Sequence, residues 1–256
     1  MHWLRFRHAG QTGFGRLVGD QVEVHHGDLF GSHQPTGQTL PLTDIEWLTP
    51  CQPTQMVAIW NNFHALAEKN SYATPEEPLW LLKSPSSFNP HTGLIPKPAV
   101  YDGRIVYEGE LGIVIGKTTR NVSEADAPAH IFGYTCVNDV TALEILQRDP
   151  SFAQWARAKS FDGFGCFGPV ISTESPVASA EVVVTVGGRE RQRYPLADMI
   201  CPPARLVALI SRDLTLQPGD VIACGTSVGV LPIKPGSEVT VTIEGIGTLA
   251  NTLAAD

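Results

Sequence analysis

The run Ile105-Val-Tyr-Glu-Gly-Glu-Leu-Gly-Ile-Val-Ile-Gly116 plants two acids, Glu108 and Glu110, in a segment that is otherwise apolar and β-branched. Such a run reads as a strand. In a strand, residues i and i+2 share one face, roughly 6.5–7 Å apart along the backbone. Two carboxylates so close, on a strand that is partly buried, repel each other and lose hydration. Two readings stand open here. Either the acids face water from an edge strand, or a cation lies between them, and the cation suited to oxygen ligands is hard: Mg²⁺, Mn²⁺ or Ca²⁺.

The remainder points to a β-rich protein. The 24 glycines and 20 prolines are spread along all 256 residues, which favours many short strands and turns over long helices. Residues 1–50 read as a small N-terminal β domain with turns at Gly19-Asp20, Gly27-Asp28 and Pro35-Thr-Gly37, followed by a linker at Pro50–Pro53 and a larger unit over 54–256. Strands are expected at Met56–Trp60, 131–137, 181–186, 220–224 and 238–243. Helices are expected from Asn61-Asn62 through Lys69, from Ser123 (as cap) to Ile131, across 141–157 and over 203–212. Residues 70–100, with six prolines, read as a long loop, and 61–98 as a mobile lid. His25 and His26 are strand neighbours facing opposite sides, so they share no ion and are read as surface residues.

A net charge of −8 and a pI near 5.4 argue against nucleic-acid or anionic-membrane partners. An anionic substrate therefore needs a local positive site, a metal or a placed lysine. Cys51, Cys136, Cys166, Cys201 and Cys224 are odd in number and form no C-x-x-C pair, which fits reduced thiols; Cys136 and Cys224 read as core filler. The N-terminal Met-His-Trp-Leu-Arg-Phe-Arg has no signal-peptide stretch, and no segment reaches the ~18 apolar residues of a membrane span. A cytoplasmic location is the expectation.

Ile131-Phe-Gly-Tyr-Thr-Cys-Val137 ends abruptly in Asn138-Asp139, and a charged residue closing a buried strand is a place for site chemistry. Four stretches now stand in order: Tyr107-Glu-Gly-Glu-Leu-Gly-Ile-Val-Ile-Gly-Lys117, Gly133-Tyr-Thr-Cys-Val-Asn-Asp-Val140, Lys159-Ser-Phe-Asp162 with Gly168-Pro169, and Gly219-Asp-Val-Ile-Ala-Cys-Gly-Thr226 with Gly229. Together they resemble the fumarylacetoacetate hydrolase family over roughly three quarters of the chain. The resemblance implies a β-rich α+β fold, a mixed β-roll, assembled as a homodimer around one divalent cation. It implies Glu108, Glu110 and Asp139 as metal ligands, Lys159 as the cationic residue beside them, and Gly225-Thr226 as the loop that takes the substrate carboxylate. Mg²⁺ or Mn²⁺ is the expected ion, with Ca²⁺ also admitted by the ligand type. The expected substrate is a small 2-oxo or acylpyruvate-type carboxylic acid, processed through a metal-stabilised enolate, with C–C hydrolysis in aromatic catabolism as the first reading. An isomerase or decarboxylase of a hydroxymuconate-type diacid is the alternative, and a non-catalytic 2-oxo acid binder is a third.

The chain departs from the family pattern at three places. Hydrolases of the family carry, after an asparagine and a tyrosine, a histidine with a glutamate three residues on; in that register this chain has Leu66 and Lys69. His64 and Glu68, one helical turn apart, offer a shifted pair. Leu143 stands four residues after Asp139 where arginine is usual, with Arg148 and Arg157 nearby, and Ser227 replaces a proline. The glycine-rich Phe161–Gly168 segment lacks the lysine-serine ending of a phosphate loop and reads as a tight aromatic turn.

Overall fold

The apolar runs pair into one dominant sheet. In the computed structural model, which describes residues 1–255, its main path runs His33–Pro41, Gln21–Gly27, Gln11–Val18, His2–His8, Gly165–Ser172, Ile131–Asp139, Gly109–Ile115, Val221–Ala223, Met56–Trp60 and Leu79–Lys83. Glu46–Trp47 and Phe88–Asn89 pair onto it from the side. A second sheet orders Arg189–Pro195, Glu181–Val186, Glu238–Ile243, Gly247–Leu253 and Leu94–Ile95. One buried cluster joins them, with Leu111 and Ile113 from the first and Val182, Val184, Val241 and Leu249 from the second. This is the expected β-rich roll.

Gly109–Ile115 lies at its centre, buried at every position and paired on one side with Ile131–Asp139 and on the other with Val221–Ala223. Gly109, between the two glutamates, is required by close approach: a Cβ there would lie 2.3 Å from Val184 Cγ2. Only glycine lets the second sheet close onto the acid-bearing strand.

The N-terminal strands continue the main sheet through the pairs His2↔Ser172 and Trp3↔Ile171. Buried Asp220 fastens the linker that follows them. Its carboxylate accepts from Thr54 N–H and Oγ1–H at 2.8 Å each, Gln55 N–H at 3.1 Å, Gln55 Nε2–H at 3.0 Å and Gln217 N–H at 2.8 Å. The helix Pro203–Asp213 buries Leu206, Val207 and Ile210 against the core, each worth roughly 1.5–3 kcal/mol of apolar burial.

Several local expectations are corrected. Ser123–Ile131 is a turn followed by the 3-10 helix Ala127–His130; Ser123 Oγ accepts Asp126 N–H at 3.1 Å, and Pro128 supplies no N–H for a continuing helix. The expected helix over 141–157 breaks into the strand Thr141–Ala142, a 3-10 turn Leu143–Ile145 and the short helix Trp155–Lys159. Pro150 and the bond from Ser151 N–H to Asp149 Oδ1 at 2.9 Å supply the interruption. Within 70–100, Leu79–Lys83 is a strand paired with Met56–Trp60. Gly165–Ser172 is a strand that its glycines disguised. His25 is half-buried, its Nδ1 lying 3.1 Å from His33 Nδ1, whereas His26 is exposed. All five cysteines are buried and free. Among the described residues no helix is long and apolar enough to cross a membrane.

Candidate active site

Strand alternation puts Glu108 and Glu110 on one face, and sheet register brings a third acid to them. Gly109 pairs with Asn138, so Asp139 falls beside Glu108, and its N–H donates to the Glu108 carbonyl at 2.9 Å. One carboxylate oxygen from each of Glu108, Glu110 and Asp139 lies within 4.8 Å of the others. Glu110 and Asp139 are each 1% exposed, and the Glu108 side chain is 17% exposed. Glu108 is the member open to an incoming molecule.

Lys159, at the end of the helix Trp155–Lys159, reaches into this group. Its Nζ donates to Asp139 Oδ2 at 2.6 Å, Glu108 Oε2 at 2.8 Å and Thr141 Oγ1 at 2.8 Å. Thr141 Oγ1–H in turn donates to Glu108 Oε1 at 2.9 Å. A second buried lysine, Lys83, donates to Asp139 Oδ1 at 2.5 Å and to the carbonyl of Lys159. Sequence reasoning passed over Lys83. The signal was there, a lone cation ending the apolar run Leu79-Trp-Leu-Leu82, but the surrounding prolines made that run read as loop.

Burial and opposite charge work against each other here. Burial opposes the charge on Lys159, yet the carboxylates of Asp139, Glu108 and Glu110 outweigh it and hold the ammonium above its ordinary range. Burial pulls Lys83 down against the resistance of Asp139. Asp139 is raised by burial but held net low by Lys159 and Lys83. Glu110 is pushed well up by burial and by the charge of Asp139, against a weaker opposing pull from Lys159; its carboxylate accepts Gly225 N–H at 2.8 Å, and among the described residues no lysine hydrogen-bonds to it. The set fits a hard divalent cation on two grounds. Every donor is a carboxylate oxygen, and the buried Glu110 is the acid left short of positive charge.

Gly225 (φ +89°) turns the chain where a Cβ would meet Ile59 O at 2.9 Å. Its N–H is the one held by Glu110, and Thr226 Oγ1–H donates to Gly109 O at 3.0 Å. The loop is therefore built onto the acid strand itself. Gln192 braces it, donating to Thr226 Oγ1 at 2.8 Å and Ser227 O at 3.0 Å and accepting Gly109 N–H at 3.3 Å. Sequence reasoning did not find Gln192, which sits in the charged run Arg189–Arg193.

His64 and Glu68 lie apart from this centre. Both are exposed on the helix His64–Asn70, and among the described residues neither side chain makes a hydrogen bond. His64 lines a cavity of about 190 Å³ with Trp60, Pro78 and Arg205, and none of the three acids lines it. Leu66 packs on the hydrophobic core and Lys69 is exposed. The helix is anchored by Asn62, which donates to Cys224 O at 2.8 Å and Cys201 O at 3.2 Å and accepts Cys201 N–H at 2.8 Å. Leu143 is half-buried; Arg148 is exposed, and Arg157 donates to Gln154 Oε1 at 2.9 Å.

Known proteins resemble this chain in both sequence and fold. Residues 55–254 match the fumarylacetoacetate (FAA) hydrolase C-terminal family, and residues 1–50 match the Rv2993c-like N-terminal family. The chain superposes on the crystal structure of 5-carboxymethyl-2-hydroxymuconate delta-isomerase from Mycobacterium smegmatis with a TM-score of 0.91 and 35% identity, covering 100% of both chains. It is 34% identical to oxaloacetate tautomerase YisK of Bacillus subtilis over 79% of this chain and 70% of that one. Maleylpyruvate hydrolase from Sphingobium sp. SYK-6, crystallised with manganese(II) and pyruvate, matches with a TM-score of 0.81 and 25% identity over 100% of this chain and 99% of the other. The chain belongs to the fumarylacetoacetate hydrolase family.

Proposed function

We propose that this protein is a divalent-metal-dependent enzyme that forms and discharges the enolate of a small 2-oxo acid, of the acylpyruvate or hydroxymuconate type, by isomerisation or decarboxylation. The observation that carries this reading is the pairing of an acid-lined centre holding a locked ammonium with a helix that brings no proton acceptor to it. Glu108, Glu110 and Asp139 would hold Mg²⁺ or Mn²⁺, and the ion would supply Lewis acidity to the carboxylate and adjacent carbonyl of the acid. Lys159, kept protonated by the surrounding carboxylates, offers positive charge to a developing enolate oxygen and would give a proton to the enolate carbon, taking its replacement from the enol O–H in isomerisation or from solvent after decarboxylation. Lys83 and Thr141 fix Asp139, Glu108 and Lys159 in one arrangement. The lid expected over 61–98 is narrowed in this proposal to the helix His64–Asn70 with the loop to Pro78, because Leu79–Lys83 pairs into the main sheet.

Hydrolysis needs an activated water, and Leu66 cannot remove a proton. The isomerase and tautomerase relatives, at about a third identity, support the branch that needs none. Ultraviolet absorbance on a panel of acylpyruvates and hydroxymuconate-type diacids tests this. The expected result is a chelator-sensitive keto–enol or decarboxylation signal that survives in His64→Ala within about threefold. C–C cleavage that slows at least about tenfold in His64→Ala would instead establish hydrolysis by the shifted pair. Metal-dependent binding without any absorbance change would leave only a binder.

The homodimer belongs to the same proposal. Leu79–Lys83 ends the main sheet and leaves Leu79, Trp80 and Leu82 37–43% exposed, an apolar edge of the kind subunit contacts cover. Light scattering should give twice the chain mass, and Trp80→Lys should shift it toward monomer. A wild-type monomer at micromolar concentration removes this part.

A further inference from the structure

A groove of about 570 Å³ lies outside the acid cluster, between the hairpin of Glu181–Val186 with Arg189–Pro195 and the loop at residues 231–237. Arg189, Arg191 and Lys234 line it, and no carboxylate does. Among the described residues none of these three side chains makes a hydrogen bond or ion pair. Arg193, on the same strand, shows the contrast: it is tied to Glu181 at 2.6 Å and Glu190 at 2.7 Å. Gathering three unpaired cations on one concave surface costs repulsion, and it happens in a chain of net charge −8.

The backbone arranges this concentration. Gln192 pairs with Val184 and Glu190 with Thr185, so Arg191 is an extra residue without an opposite partner. A bulge re-aims the side chain it carries. The groove is also apolar at its base. Pro232 and Leu231, the latter 47% exposed, line it, above the buried Tyr107, whose hydroxyl donates to Gly229 O at 2.7 Å.

We infer that this groove is a binding site for a small dicarboxylate. Two acid groups match the cations, a short carbon frame matches Leu231 and Pro232, and the volume suits a small molecule. None of Glu108, Glu110 and Asp139 lines the groove. The groove is therefore distinct from the acid cluster, and the inference does not depend on the proposed reaction.

The test is calorimetric titration of the metal-free full-length chain with glutarate, with inorganic phosphate as the second probe. Glutarate should bind once per chain and more tightly than phosphate. Arg191→Glu with Lys234→Glu should weaken it at least about tenfold, as reversal of two contacting charges requires. Both positions are exposed, so the fold should survive; Leu231→Asp and 0.5 M salt, about the level that screens such contacts, weaken binding without that double reversal. Glu110→Gln should leave glutarate binding unchanged. No binding at millimolar glutarate, indifference to the charge reversals, loss of binding in Glu110→Gln, or phosphate binding as tightly as glutarate each overturns the inference.

Discussion

Glu110→Gln is expected to abolish metal-dependent turnover while leaving the chain folded. The amide keeps the shape of the side chain and an oxygen to accept Gly225 N–H, now held at 2.8 Å. It removes the charge that the cation would need. Metal affinity should fall at least about 100-fold, beyond what loss of a supporting contact costs, and turnover should fall with it. The metal-free variant should be more stable than wild type at neutral pH, because a buried carboxylate repelled by Asp139 is replaced by a neutral group. The sign follows from the shift. The folded-state pKa of Glu110 is raised well above its ordinary 4.5, so its contribution to stability is fully present below that value and is lost as pH rises through the raised one. Asp139 shifts the other way from 3.8, so its contribution is lost only in acid. Chemical denaturation of both metal-free proteins should show a stability difference near zero at about pH 4 that widens toward about pH 8 in favour of the variant. A flat difference, or unchanged metal affinity, would remove Glu110 from the site.

What was legible in the sequence follows from how local each signal is. Glu108 and Glu110 could be read together because strand alternation is a two-residue rule. Asp139 could be read because a charge ends an otherwise apolar strand. The register that brings Asp139 to Glu108, the pair Gly109↔Asn138, depends on how two distant strands align and left no local mark. Lys83 and Gln192 were missed for related reasons. Lys83 ends a strand bracketed by prolines. Gln192 follows a bulge that breaks the two-residue rule within the run Arg189–Arg193, so a buried polar brace looked like one more surface residue. The expected helix at 141–157 failed because Thr141 pairs as a strand and gives its hydroxyl to Glu108. There a propensity reading met a residue already committed to the site.

Lys159→Met should lower turnover by about 10³-fold, the loss expected when one preorganised charge and one proton donor go together. It should at the same time tighten metal binding. In the present arrangement the Lys159 ammonium holds Glu108 Oε2 at 2.8 Å and Asp139 Oδ2 at 2.6 Å, two oxygens that a cation would otherwise claim. Removing that competitor leaves them to the metal, with Asp139 Oδ1 still held by Lys83 at 2.5 Å. Without metal the variant should be less stable by about 3–5 kcal/mol, since a buried pair has lost one partner, and added Mg²⁺ or Mn²⁺ should restore much of the loss. A residue needed only for folding would depress turnover and metal affinity together. Lys159→Arg separates the remaining roles, because guanidinium keeps the charge but does not give up its proton. Partial activity in Lys159→Arg would assign Lys159 to charge stabilisation, whereas a rate as low as that of Lys159→Met would assign it to proton transfer. Turnover within tenfold of wild type in Lys159→Met, or weaker metal binding, would mean that the ammonium belongs to the scaffold and that the enolate charge is met by another group.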